Sequence, residues 1–152
     1  MLGSWKRDIV VEPARHEPDR LIARLRIGWR SGEVSFRTPH LPPIETDDPF
    51  LPIALLLGMR TGRRVVLEGP VSTPLLASLD SVREDLRAWY PDLGATDVHA
   101  PRTVPPPPVR ARGTATFFSG GLDSFYTAVT HADEITHLLF VHGFDVRLGD
   151  GA

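Results

Sequence analysis

Four consecutive prolines at positions 105–108 divide the chain, because neither a helix interior nor a central strand can be built through them. The stretch that holds them, residues 101–113 (PRTVPPPPVRARG), carries five prolines and no apolar periodicity. Extended polyproline geometry suits such a segment, so it is expected to be a stiff linker between two unequal parts. Binding by a proline-recognising partner is the other use of this composition.

Residues 1–100 show mixed signals and are expected to form an α+β domain, whose role the sequence does not indicate. Leu21, Ala23, Leu25 and Ile27 alternate with polar residues, as in a half-buried strand. Alternation resumes over residues 33–38, and Ser31-Gly32 between them is read as the turn of a hairpin. Asp48 followed by Pro49 resembles a helix cap with proline in the first turn, leading into LPIALLLGM. A short buried strand is expected at 65–67. Thr73-Pro74 then opens a helix whose Leu75, Leu79, Val82, Leu86 and Trp89 make one apolar stripe, ended by Pro91. The stripe is expected to cover its own domain's sheet. Glu45, Asp47 and Asp48 gather as acids do at a helix start, where they act as caps.

Composition narrows the class. With 41% hydrophobic and 24% charged residues among 152, the chain reads as globular. A net charge of −2 gives no positive field for nucleic acid or an anionic membrane. No cysteine is present, which removes disulfides, thiolate metal sites and cysteine nucleophiles. The first residues become charged too soon for a signal-peptide core, and no apolar run reaches bilayer length. A cytoplasmic protein that does not enter a membrane is expected.

After the linker the pattern changes. Residues 114–118 are β-prone, SGGLDS follows at 119–124, residues 124–132 read as a helix, and 137–141 as a second strand. Strand, glycine loop, helix and strand make one βαβ unit of a parallel α/β sheet. A loop leading into a helix presents unpaired backbone N–H groups at the positive end of the helix dipole, a setting that favours phosphate. Gly120 and Gly121 let the backbone approach an anion closely, and Ser119 and Ser124 add hydroxyl donors. Asp123 suits a cap, a brace for the loop, or a ligand for Mg²⁺ bridging phosphates.

FFSGGLDSFYT resembles the SGGxDS signature of the PP-loop ATP pyrophosphatase superfamily, which has an adenine-nucleotide α-hydrolase (HUP-like) fold. Members include asparagine synthetase, GMP synthetase, tRNA-lysidine synthetase and 7-cyano-7-deazaguanine synthase. The resemblance implies an ATP-binding, AMP-forming ligase or synthase that uses Mg²⁺. A carbonyl or carboxylate of a small-molecule or RNA acceptor attacks the α-phosphate, pyrophosphate leaves, and a nitrogen or sulfur nucleophile displaces AMP. It assigns Ser119, Gly120, Gly121, Leu122, Asp123 and Ser124 to the nucleotide phosphates, with Asp123 toward the metal. It places the run Phe140, Val141 and His142, at the end of the second strand, beside adenine, with Gly143 leaving room there. Many members have Ser or Thr directly after the loop's last serine, where this chain has Phe125.

The loop lacks the lysine of GK[ST] and the spacing of GxGxxG, and the chain has no GxSxG elbow. Its histidines, at 16, 40, 99, 131, 137 and 142, show no HxxxH or HExxH spacing, so no histidine metal site is expected. The resemblance covers only residues 114–152, the beginning of a catalytic domain that ordinarily needs further strands. The chain is therefore expected to be the amino-terminal part of a longer protein or a truncated product, with a missing carboxyl-terminal half or a homo-oligomer as its partner. By itself it is expected to turn over ATP weakly or not at all. A nucleotide-binding or assembly module without turnover is the alternative function.

Overall fold

A computed structural model describes residues 8–37, 44–106 and 113–141, which form a mixed α/β protein with parallel strands in its sheets. The chain divides into two compact units, Met1–Pro107 and Pro108–Ala152.

The first unit is built on a six-stranded mixed sheet. Strands β1 (Ile9–Val11) and β2 (Arg15–Glu17) run antiparallel to the same side of β3 (Arg20–Ile27). The register shifts by one residue between the pairs Val11–Leu25 and Arg15–Ile22. Pro13, which has no N–H for the ladder, sits in that break. Strand β4 (Arg30–Arg37) pairs with the other side of β3 along its whole length.

The hairpin turn is not the expected Ser31-Gly32. Ile27 pairs with Arg30, so Gly28 and Trp29 form a two-residue loop, and Ser31 and Gly32 lie inside β4. Gly28 holds φ 62°, at the first loop position, where a tight hairpin favours glycine.

A short 3₁₀ turn, Asp48–Phe50, leads into α1 (Leu51–Thr61), and the chain returns through β5 (Val65–Leu67), parallel to β1. Helix α1 buries Leu51, Ala54, Leu55 and Met59, the i, i+3, i+4, i+8 pattern of one face. With Phe50 these side chains pack against Ile9, Val11, Leu21, Ala23, Leu25, Val65 and Leu67. Leu21, Ala23 and Leu25 of the expected alternation are buried and Ile27 partly so, but Ile22 among them is buried as well.

The expected acidic caps are corrected. Neither Asp47 nor Asp48 bonds the helix start with its side chain. Asp47 Oδ1 accepts the Ala14 N–H at 3.1 Å, and Asp48 Oδ1 accepts the Ser72 N–H at 2.8 Å. The two carboxylates therefore tie the 44–50 segment to distant backbone. Burial holds the Asp47 carboxyl above its ordinary pKa; Asp48 adds to this, while the Ala14 N–H, Arg102 and His16 oppose it.

Strand β6 (Val71–Ser72) is followed by α2 (Thr73–Ala77), α3 (Leu79–Trp89) and β7 (Val98–His99), which extends the sheet parallel to β5. The single helix expected from Thr73 is broken at Ser78, whose hydroxyl donates to the Leu75 carbonyl at 2.8 Å. Leu75, Leu79 and Leu86 of the expected stripe pack on the core. Val82 and Trp89 stay exposed, Trp89 by 75%. Strand β8 (Thr103–Val104) pairs parallel with β6, so part of the proline-rich 101–113 segment belongs to the first unit's structure.

The sheet face opposite α1 carries ion pairs. Arg15–Glu33 at 3.1 Å, Arg26–Glu12 at 2.8 Å and Arg37–Asp19 at 3.0 Å are all solvent-accessible. Such pairs contribute about 0–1 kcal/mol each. They leave the arginines of this face matched with carboxylates.

The second unit is a βαβ element. Strand β9 (Ala115–Phe117), α4 (Leu122–Thr130) and β10 (His137–Leu139) follow in order, with β10 parallel to β9. His137 pairs with Ala115 and Leu139 with Phe117. Thr136 closes the starting end of the pair, its hydroxyl donating to the Thr114 carbonyl at 3.0 Å and accepting the Thr114 N–H at 3.0 Å.

Candidate functional site

The SGGLDS segment occupies the turn from the carboxyl end of β9 into the first turn of α4. Its shape begins with the strands. The Phe118 N–H donates to the Leu139 carbonyl at 2.8 Å, so backbone pairing with β10 continues to the residue before the loop. Gly120 then takes φ 81°, a conformation that L side chains rarely adopt. Gly121 is the residue flanking the helix, with extended backbone at φ −79° and ψ 166°. The Phe125 N–H donates to the Gly121 carbonyl at 3.0 Å, the first helical bond of α4.

Glycine at this flanking position brings no side-chain acceptor, and α4 has no side-chain cap bond. The N–H groups of Leu122, Asp123 and Ser124 therefore have no acceptor within the helix and stand at its positive end. Asp123 is not a cap; it is the second residue of α4, with an exposed carboxylate. Its carbonyl accepts the Thr127 hydroxyl at 2.9 Å.

The serine hydroxyls differ from their expected state. Ser124 donates its hydroxyl to the Gly121 carbonyl at 2.8 Å, which draws the loop onto the helix. The Ser119 Oγ stands 3.4 Å from Ser124 Oγ and accepts a long bond from the Gly121 N–H, also 3.4 Å. Both hydroxyls are thus engaged within the loop, and a phosphate would have to draw them away. The backbone N–H groups of Leu122, Asp123 and Ser124 are the donors already in place.

All six loop residues, Ser119 through Ser124, are brought together in one turn. Val141 is exposed and lies beyond β10; in a parallel pair it emerges at the same end of the strands as the loop. His142 and Gly143 lie outside the described residues. Phe125 stands where the family pattern has Ser or Thr, and Phe118 directly precedes the loop. Their rings meet edge to face, with centroids 4.8 Å apart and planes at 74°. An F–x₆–F spacing around a glycine loop is the only signal that could have pointed to this contact.

Other features carry less chemistry. Among the described residues no three His, Asp or Glu side chains form a metal-holding group. A groove of about 710 Å³ lies in the first unit, lined by Leu25, Ile27, Trp29, Arg30, Val34 and Leu57, and no loop residue lines it. His16 contacts the Ile44 carbonyl at 2.6 Å, and His137 contacts the Thr136 hydroxyl at 2.7 Å, so both serve local structure. Among the described residues no helix is long and apolar enough to cross a membrane.

Compared with protein-family models, with curated proteins and with solved structures, the chain matches none of them. Any functional reading therefore rests on the residues of the site.

Proposed function

We propose that the second unit binds ATP through its phosphates at residues 119–124, in the manner of the PP-loop superfamily that SGGLDS resembles. The observation that carries this reading is the uncapped start of α4, reached from a parallel strand through a glycine at positive φ. That arrangement directs several N–H groups at one point outside the carboxyl ends of the strands, where α/β sheets receive ligands. The HUP-like architecture, of which this βαβ unit would be the first part, belongs to the same proposal.

The chemistry proposed is adenylation. An oxygen of a carbonyl or carboxylate on a small-molecule or RNA acceptor attacks the α-phosphorus of ATP. The bond from that phosphorus to the bridging oxygen breaks, pyrophosphate departs with the bond's electron pair, and AMP stays on the acceptor. The loop's N–H groups hold the β- and γ-phosphates and stabilise the charge that gathers on them. Asp123, the one carboxylate in the loop, suits Mg²⁺, which binds through one or two carboxylates plus substrate phosphates and would neutralise the leaving group.

Calorimetric titration of ATP, pyrophosphate and AMP, with and without Mg²⁺, tests the reading. ATP and pyrophosphate should bind and AMP should bind much more weakly. Asp123→Ala should lower the gain that Mg²⁺ gives. Equal binding of AMP and ATP, or none by either, refutes phosphate recognition. Pyrophosphate release at an ordinary enzymatic rate by this chain would contradict the expectation that it turns over ATP weakly or not at all by itself.

A further inference from the structure

We infer that Phe118 and Phe125 are positioning residues whose ring contact clamps the two ends of the phosphate loop and so sets its affinity. The inference rests on the phosphate-binding reading of residues 119–124.

The two phenylalanines are the residues immediately before and after the loop. Phe118 is fixed on the strand side, its N–H bonded to the Leu139 carbonyl at 2.8 Å. Phe125 is fixed on the helix side, its N–H closing the first helical bond to Gly121 at 3.0 Å. Between these anchors the loop has little to hold it. It contains a glycine at φ 81°, and two of its three internal hydrogen bonds are 3.4 Å long. The 4.8 Å edge-to-face contact joins the residue after β9 to the first turn of α4, beside the long 3.4 Å contact of Ser119 with Ser124.

This pair is not an ordinary core contact. Phe125 is 53% exposed, and none of the described residues of the second unit is in the buried apolar core. An aromatic pair left half in water contributes little burial, yet its geometry is specific. What it does supply is a fixed separation between strand end and helix start. The donors on Leu122, Asp123 and Ser124 are then held at the helix start before an anion arrives. Preorganisation of this kind raises affinity by removing ordering that binding would otherwise require.

The substitution Phe125→Ser makes the test directional, since it removes the ring and adds a hydroxyl beside the first-turn N–H groups. If the hydroxyl mattered more than the clamp, pyrophosphate would bind more tightly. The clamp instead predicts about 10-fold weaker binding, equivalent to about 1.4 kcal/mol. Phe125→Tyr, which keeps the ring edge, should stay within about 2-fold of the wild type.

Pyrophosphate titration of the full chain measures both, with the amide signals of Thr116 and Leu138 reporting whether β9 and β10 remain paired. If Phe125→Ser loses those signals, Phe125→Leu takes its place, with the same weakening expected. Unchanged or tighter binding by the folded serine or leucine variant overturns the inference while leaving the loop's role intact. Failure of the wild-type chain to bind pyrophosphate overturns the reading beneath it, and the inference with it.

Discussion

Replacing Gly120 with alanine separates the loop's backbone conformation from every other contribution. Gly120 holds φ 81°, and a Cβ built there meets nothing within 4 Å. No clash is therefore introduced, and the cost is the backbone strain of an L residue at positive φ, about 1–2 kcal/mol. With nothing bound the variant relaxes to negative φ, which turns the peptide between residues 120 and 121 and takes the Gly121 N–H away from the other donors. Binding must then restore the strained conformation, so pyrophosphate affinity should fall by about 5- to 30-fold. Gly121 is the control, because its φ of −79° suits any residue and its added Cβ meets only Ser119 Oγ at 3.4 Å. Gly121→Ala should leave the empty loop unchanged and weaken binding only by crowding the phosphate. Asparagine tolerates positive φ better than alanine, so Gly120→Asn should recover part of the loss. Titration at fixed ionic strength measures all three variants. Wild-type affinity in Gly120→Ala, or an asparagine variant no better than alanine, would refute the reasoning.

Other predictions concern the first unit. Asp47 is 3% exposed, its Oδ2 has no hydrogen-bond partner, and its pKa is raised. The folded state therefore holds this proton more tightly than the unfolded state. The contribution of Asp47 to stability is greatest at low pH and declines as pH rises from about 4 through the raised folded value. Asp47→Asn should remove that decline, so the difference between variant and wild type in urea titrations should grow in the variant's favour from pH 4 upward. A difference that does not change with pH contradicts it. Phe50 is fully buried and meets Phe36 edge-on at 5.3 Å, so Phe50→Ala should cost about 3–5 kcal/mol in denaturant titrations. A loss below 1 kcal/mol would mean that Phe50 is not a central part of this core.

The second unit was legible because its signals are local. A β-prone run, a glycine pair and a second β-prone run, at the spacing a crossover helix needs, allow few arrangements; β9, α4 and β10 appear in that order, though α4 starts two residues before the expected 124 and β10 ends two before the expected 141. The first unit was read less well wherever the deciding partner lies far along the chain. Ser31-Gly32 looks as much like a turn as Gly28-Trp29 does. What selects the latter is pairing with β3 over eight positions, from Arg20–Arg37 to Ile27–Arg30. Asp47 and Asp48 look like caps from their neighbours, but their acceptor oxygens go to Ala14 and Ser72, 33 and 24 residues away. Ser78 interrupts the helix from Thr73 with its own hydroxyl bond to Leu75, which apolar periodicity does not register. At the site, residue types identified the loop, but they did not foretell that Ser119 and Ser124 bond within it or that Phe118 and Phe125 meet across its ends.

The central claim is that residues 119–124 receive phosphate on backbone N–H groups. An amide-resolved NMR titration of the ¹⁵N-labelled chain with pyrophosphate and Mg²⁺ tests it most directly. The account predicts saturable shifts concentrated at Gly120, Gly121, Leu122, Asp123 and Ser124, with one shared dissociation constant and little change at β3 and β4. Shifts absent from these residues, or confined to the arginine-bearing strands of the first unit, would contradict it.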